Sequence, residues 1–475
     1  MFSVTSLGFL PFMALFVCLW YRVPQPSRWK LVLAANAVFC LSIDIGAFFA
    51  VALATAVVWQ AAQHAQPEQP SRRGWLALGL AAALLPLLVL KYSGMLVPGL
   101  RDLYKPFGLA YYSLQLAGYL LDVWHGRTAP TPSYARLWCY AGFFLSLTQG
   151  PFNRYNTLMP QLEAAPKTFE TQRLVSGLQR SAWGYFKKFA IADRAAIVVS
   201  AAFADPASFD RSQLIFATVM YSFQLYADFS GYTDIVLGMG EILGLHLPEN
   251  FRQPFFSASV KELWARWHIS LSQWFRDYVY IPLGGNRVSV LRWCFNMFVV
   301  WLLSGLWHGA GWNFALWGLY FGVFLSAEKL IGKKWKERSF KIADISANND
   351  SNGGDRENMF LTCVRNIIEH GYVLLVVLFS FVIFRVESVR EIKEQFLGLS
   401  GCYGNAMTPM AAYEIKSCLI LLLIACAGAT PFPAMWVQRL KNTNMWKKSG
   451  WLLQSCYILT GLVLATAFLL GSSVH

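Results

Sequence analysis

The chain has 475 residues, of which 56% are hydrophobic and only 14% charged, against about 25% charged in an ordinary soluble domain. That balance excludes a disordered chain or a conventional soluble domain, and the net charge of +14 comes without any basic domain to carry nucleic acid. Nine cysteines are scattered with no Cys-x-x-Cys pair, so neither a disulfide framework nor a cysteine metal site is expected.

Apolar runs follow one another along the chain, over residues 5–21, 31–43, 44–62, 75–97, 109–124, 136–150, 174–199, 211–227, 235–247, 293–307, 309–331, 360–384, 416–437 and 450–472. A spanning helix needs about 20 mostly apolar residues, so about 10 to 12 true spans are expected, with the shorter runs re-entrant or buried among other helices. The fold class is therefore all-α and polytopic in a membrane. The first run has no basic residue before it and is followed by Arg22, Arg28 and Lys30. By the bias of Lys and Arg toward the cytoplasm, this predicts a cytoplasmic segment at 22–30 and an N-terminus outside. The basic stretches from Lys333 to Lys341 and from Arg439 to Lys448 are assigned to the cytoplasm too, which places the C-terminus outside. Anionic membrane lipids account for the remaining positive charge.

One membrane domain, residues 1–475, is expected. Within it, residues 344–358 are polar and rich in Gly and Asn, which reads as a flexible cytoplasmic loop, and C-terminal helices occupy 387–475.

Between the apolar runs, residues 251–292 carry Arg252, Lys261, Glu262, Arg266, Arg276 and Asp277 among many aromatics. Ser259 and Glu262 fit a capping box, and Trp264, Trp267, Leu271, Trp274 and Tyr278 recur at helical steps up to Pro282. This predicts one amphipathic helix at the cytoplasmic interface, with His268 beside its aromatic stripe. Upstream, Asp228 and Asp234 flank Gly231, which suggests a break between helices. Buried carboxylates need partners, and tyrosine or serine hydroxyls, or an arginine such as Arg266, could supply them. A polar network that locks helices together is favoured over a catalytic role for either Asp. Farther on, Trp307-His308-Gly309 stands in an otherwise apolar stretch from Trp301 to Leu325. An imidazole at that depth is costly without a partner or a wet cavity, which marks a functional site without naming its reaction.

These residues together resemble a family. The run from Pro254 to Asn286, with Arg266-Trp267-His268, Trp274, Asp277-Tyr278 and Pro282-Leu283-Gly284-Gly285, resembles the membrane-bound O-acyltransferases. The likeness is to a bacterial branch that includes alginate O-acetyltransferases and teichoic-acid D-alanylation proteins. Tyr112 to Gln115, Gly150-Pro151 with Arg154, Lys187-Lys188 with Asp193, the Asp228 block, Leu306 to Ala310, and Phe384-Arg385 follow in family order. The resemblance covers a core of about residues 104–386. One departure stands out: where many relatives carry histidine before glycine, this chain has Phe321-Gly322.

The resemblance implies a tunnel in a helical bundle where an acyl group from a cytoplasmic thioester meets a hydroxyl presented from the other side. It implies His308 as general base and His268 as a group that orients the acceptor or the thioester carbonyl, or polarises His308. The donor implied is acetyl-CoA, a substrate and not a resident cofactor, with Lys261, Arg266 and Arg276 as candidate contacts to its phosphates. Trp307, Trp312 and Trp317 are candidate walls against water, although plain helix packing is the favoured account of all three. The expected function is an inner-membrane O-acetyltransferase serving an exported polysaccharide such as alginate or cellulose, directly or through a periplasmic acetyltransferase. Transfer to peptidoglycan or D-alanylation of teichoic acid keeps the same fold, and a permease or flippase whose histidines bind or relay is the reading of another class.

Overall fold

The structure is a computed structural model that describes residues 3–100, 103–346, 354–404 and 407–430, with scattered residues between 435 and 463. Among the described residues it is built of helices. Strand pairing among these residues is limited to a single antiparallel bridge between Phe251 and Trp267. Contacts group the chain into two compact units, the first drawn from Met1–Arg194 and Gln224–Asn250, the second from Ala195–Phe223 and Phe251–Met435.

The first unit opens with α1 (Phe9–Arg22), α2 (Arg28–Ile43), α3 (Ile45–His64), α4 (Arg72–Leu96) and α5 (Leu109–Trp124). Arg28 is buried, yet its guanidinium donates to the carbonyls of Ala165 and Pro166 and stacks on the Trp20 ring at 4.9 Å, which offsets its desolvation. Asp44 separates α2 from α3 and caps the latter, accepting from the Gly46 amide at 2.9 Å. Helix α5 is buried on nearly every side, from Tyr111 through Leu120, so it reads as a core helix and not as a lipid-facing one. Then come α6 (Tyr134–Ala141), α7 (Tyr155–Ala164), α8 (Thr171–Phe186) and a π-helical stretch at Lys187–Ala192; α9 (Asp193–Ala204) follows and belongs, from Ala195 on, to the second unit.

The 32-residue α10 (Arg211–Ile242) runs without interruption through Gly231. The break expected between Asp228 and Asp234 is absent, because Gly231 serves packing and not a turn. A Cβ at Gly231 would meet the Gly184 carbonyl at 2.8 Å, and one at Gly184 would meet the Ile235 amide at 2.7 Å. Small residues thus let α8 and α10 touch backbone to backbone. The carboxylates on α10 are then answered by α8 and the π-helical stretch. Asp234 accepts from Lys187 at 2.5 Å and from Arg180 at 3.0 Å, Arg180 also grips Glu249 with two bonds, and Asp228 accepts from Lys188 at 2.6 Å. Arg266 is not the partner of either aspartate.

The second unit holds α11 (Val260–Arg266), α12 (Ile269–Phe275) with π-helical turns at Arg276–Tyr280, α13 (Val290–His308), α14 (Trp312–Ser346), α15 (Gly354–Arg385), α16 (Val389–Ser400) and α17 (Pro409–Gly428). Of the polar stretch 344–358, residues up to Ser346 continue α14, those from Gly354 belong to α15, and 347–353 lie outside the described residues. Glycines weld α13 to α14: a Cβ at Gly305 would run into the Phe314 carbonyl, and one at Gly318 into that of Trp301. Glu328 of α14 caps α11, accepting from the amides of Val260 at 2.6 Å and Lys261 at 3.1 Å. A carboxylate at a helix N-terminus also gains from the helix dipole.

Six described helices are long and apolar enough to cross a membrane: Ile45–His64, Arg72–Met95, Val290–His308, Trp312–Gly332, Val364–Arg385 and Ala411–Gly428. Exposed apolar side chains along them, such as Leu53, Leu85, Phe295, Val323 and Ile420, suit a lipid environment. The protein is an all-α, multi-pass membrane protein.

Candidate active site

The helix expected to run unbroken from Val260 to Tyr280 breaks at His268. The capping box is there: Ser259 Oγ accepts from the Glu262 amide, and the Glu262 carboxylate accepts from the Ala258 amide. Yet Trp267 is extended, bridged to Phe251, and His268 adopts a left-handed backbone with φ 44° and ψ 52°. A bulky residue there is strained by about 1–3 kcal/mol and persists only where its surroundings over-determine it, a pattern concentrated at functional sites. The surroundings are on hand. The Arg252 amide bonds the Arg266 carbonyl at 2.9 Å, and the Trp267 ring wedges among Phe251, Phe255 and Phe381 at 5.2–6.0 Å. No glycine or asparagine marks this position, so the sequence carries no signal for the break.

The consequence is that His268 turns inward and is only 2% exposed. Burial, and then the charge of nearby His308, hold its imidazole well below the ordinary histidine range, so it is neutral at pH 7. The Trp307 ring stands beside both histidines, 5.9 Å from His268 and 4.9 Å from His308.

His308 is the last residue of α13, where the chain leaves the helix before the α13–α14 turn. Gly309 follows in extended backbone, and a side chain there would collide with the Phe314 ring. The His308 ring is half-buried and nearly perpendicular to three aromatic rings: Trp307, Trp317 at 5.2 Å and Phe384 at 5.3 Å. Behind Trp317 lies an apolar core of Trp301, Phe321 and Leu325, with the partly buried Trp264 packed against it. Phe321, the departure noted in the sequence, is fully buried there against Trp264 at 4.8 Å. Of the expected walls, Trp307 and Trp317 are buried, whereas Trp312, at the first position of α14, is 63% exposed. Phe384 was legible only as part of a family motif; its contact with His308 was not.

The three basic residues proposed for the donor remain on or near the surface of this unit. The Lys261 side chain is exposed, Arg266 pairs with Glu262 one turn back at 2.5 Å, and Arg276 pairs with Asp277 at 2.8 Å.

A neutral buried histidine and a second, partly accessible histidine against one tryptophan suit proton transfer in a dry setting. Comparison with known proteins bears directly on the chemistry. Residues 93–347 match the membrane-bound O-acyltransferase family. The chain belongs to that family. It is an O-acyltransferase, and both histidines fall inside the matched segment. The chain is 33% identical over 385 residues to the probable alginate O-acetylase AlgI of Pseudomonas fluorescens, covering 80% of this chain and 71% of that protein. It is 35% identical over 339 residues to the probable alginate O-acetylase AlgI of Azotobacter vinelandii, covering 67% of each. A peptidoglycan O-acetyltransferase of Helicobacter pylori is 32% identical over 319 residues, 60% of each chain. The ion-paired carboxylates of this O-acyltransferase, Asp228 and Asp234, belong to the helix packing described above.

Proposed function

We propose that the enzyme transfers an acetyl group from cytoplasmic acetyl-CoA to a hydroxyl of an exported polysaccharide, with His308 as general base. The observation that carries the catalytic part is the placement of His308. It ends a spanning helix, is partly buried, and is packed against aromatic rings near a neutral histidine. The relatives named as alginate O-acetylases support the acetyl group and the polysaccharide class.

In this reading His308 takes the proton of the acceptor hydroxyl as its oxygen attacks the thioester carbonyl carbon. The carbon–sulfur bond then breaks, and the thiolate leaves with a proton returned by the imidazolium. A sugar hydroxyl is a weak nucleophile at neutral pH, so a positioned base contributes about 10²–10⁴-fold. His268, neutral and fixed by its backbone, orients the thioester carbonyl or the acceptor. Lys261, Arg266 and Arg276 meet the donor's phosphates, and the site opens to a periplasmic acetyltransferase or to the polymer itself. The enzyme sits in the inner membrane with both termini on the periplasmic side.

The test uses purified protein in nanodiscs with acetyl-CoA and an acceptor polysaccharide. His308→Ala is expected to lower acetyl transfer by at least about 10²-fold while the variant inserts and elutes as wild type does. Transfer at the wild-type rate would sink the general-base assignment. Transfer to peptidoglycan fragments in place of polysaccharide would move the acceptor to the class named for the Helicobacter relative.

A further inference from the structure

The rings around His308 offer something that simple packing does not require. Trp307, Trp317 and Phe384 lie 4.9, 5.2 and 5.3 Å from its centroid, at interplanar angles of 75°, 82° and 77°. All three lie within roughly 6 Å, the range over which a cation and an aromatic face attract, and a near-perpendicular pair sets one ring's edge against the other's face; among aromatic faces tryptophan attracts a cation most strongly. Trp317 is also 2% exposed, with its indole N–H buried and no acceptor for it among the described residues. A phenylalanine or leucine at that position would fill space without burying an unmatched donor. Indole is therefore a costly filler here, as it is at Trp264 in the same core, but of the two only Trp317 packs against His308.

We infer that Trp317, with Trp307 and Phe384, forms an aromatic seat that stabilises the His308 imidazolium as it forms, making Trp317 a positioning and electrostatic residue of the transfer reaction. The inference rests on the general-base reading of His308. When His308 is neutral the seat contributes only packing. When His308 has taken the hydroxyl proton, a full positive charge lies within 5.3 Å of three aromatic ring centres, those of Trp307 and Trp317 buried and that of Phe384 partly buried. The interaction is thus stronger in the transition state than in the ground state, which is the condition for raising kcat.

The charged side chains of the surrounding elements have partners of their own. His268, at the α11–α12 junction, is held neutral by burial, so it adds no second positive charge. Glu262 and Arg266 on α11 pair with each other, as do Arg276 and Asp277 beyond α12. Arg385, next to Phe384 on α15, lies over the rings of Phe203 and Tyr221 at about 6 Å. On α14, Glu328 caps α11 three turns beyond Trp317.

The test replaces Trp317 site-specifically by mono-, di- and trifluorotryptophan, which keep its shape but drain its face of electron density, and adds Trp317→Phe. Acetyl transfer is measured in nanodiscs as kcat and as KM for acetyl-CoA, beside wild type and His308→Ala. Each added fluorine is expected to lower kcat by about two- to three-fold with KM unchanged, and Trp317→Phe to fall within the same series. A kcat indifferent to fluorination, with His308→Ala inactive, overturns the seat and leaves the general base standing. An active His308→Ala overturns the base itself, and the seat with it.

Discussion

Gly305 of α13 lies against the backbone carbonyl of Phe314 in α14, with no room for even a methyl group between them. Three residues later comes His308, and the ring of the same Phe314 packs on Phe384 at 5.1 Å. The helix contact and the imidazole's position are therefore one arrangement. Gly305→Ala forces the helices apart, since a backbone carbonyl cannot swing aside as a side-chain tip can. Overpacking of this kind costs about 1–3 kcal/mol. The expected outcome is a lower unfolding temperature in nanodiscs and a loss of acetyl transfer larger than the stability loss alone produces. An unchanged melting curve and rate would show that α13 and α14 do not meet as closely as this.

His268 makes stability depend on pH. Its folded pKa lies below its unfolded value of about 6.5, because burial disfavours the charged ring. Below pH 6.5 the unfolded chain binds a proton at this residue that the folded chain does not, so stability rises with pH in that window and falls as the medium is acidified. The slope approaches about 1.4 kcal/mol per pH unit for one such group. Denaturant or thermal midpoints measured from pH 7.5 to 5 are expected to decline in wild type and to flatten in His268→Asn. Asparagine tolerates the left-handed backbone that His268 occupies. Identical slopes in the two proteins would show that His268 is protonated in the folded state.

In the first unit, Asp234→Asn removes a charge from between Lys187 and Arg180. Lys187 is 5% exposed and donates to Ser230 at 2.9 Å as well as to Asp234. A buried ammonium stripped of its carboxylate costs about 3–5 kcal/mol, whereas replacing both partners with apolar groups is near neutral. Asp234→Asn is expected to misfold or melt early, and the pair Asp234→Leu with Lys187→Met to recover much of the loss. Equal stability of single and double variants, read by fluorescence-detected size-exclusion chromatography after heating, would show that the pair is not coupled.

Much of this was legible in the linear chain. A long excess of apolar residues fixes helices as the way to satisfy backbone polar groups in lipid, so the fold class followed from composition. The capping box at Ser259 and Glu262 located the start of α11 to the residue, because that signal is local. Motif order led to the family and to His308. The break at His268 was illegible, since nothing about a histidine after a tryptophan foretells a left-handed backbone. That conformation is imposed by Phe251, Phe255 and Phe381, residues distant in sequence. Gly231 was legible as special but its meaning was not. A glycine can turn a chain or admit a neighbour, and only the presence of Gly184 opposite decides which. The same limit applied to Asp228 and Asp234, whose lysine partners lie forty or more residues away.

By itself, then, the sequence determined that this protein is a helical membrane O-acyltransferase with an imidazole inside an apolar stretch. Those properties depend on composition and on short ordered motifs, which survive being read one residue after another. Only the tertiary structure decided that Trp307 lies beside both histidines, that Trp317 and Phe384 complete the ring around His308, and that Trp312 does not. Which aromatic faces meet an imidazole depends on how closely α13 and α14 approach, and that distance is set by glycines against carbonyls across the helix contact.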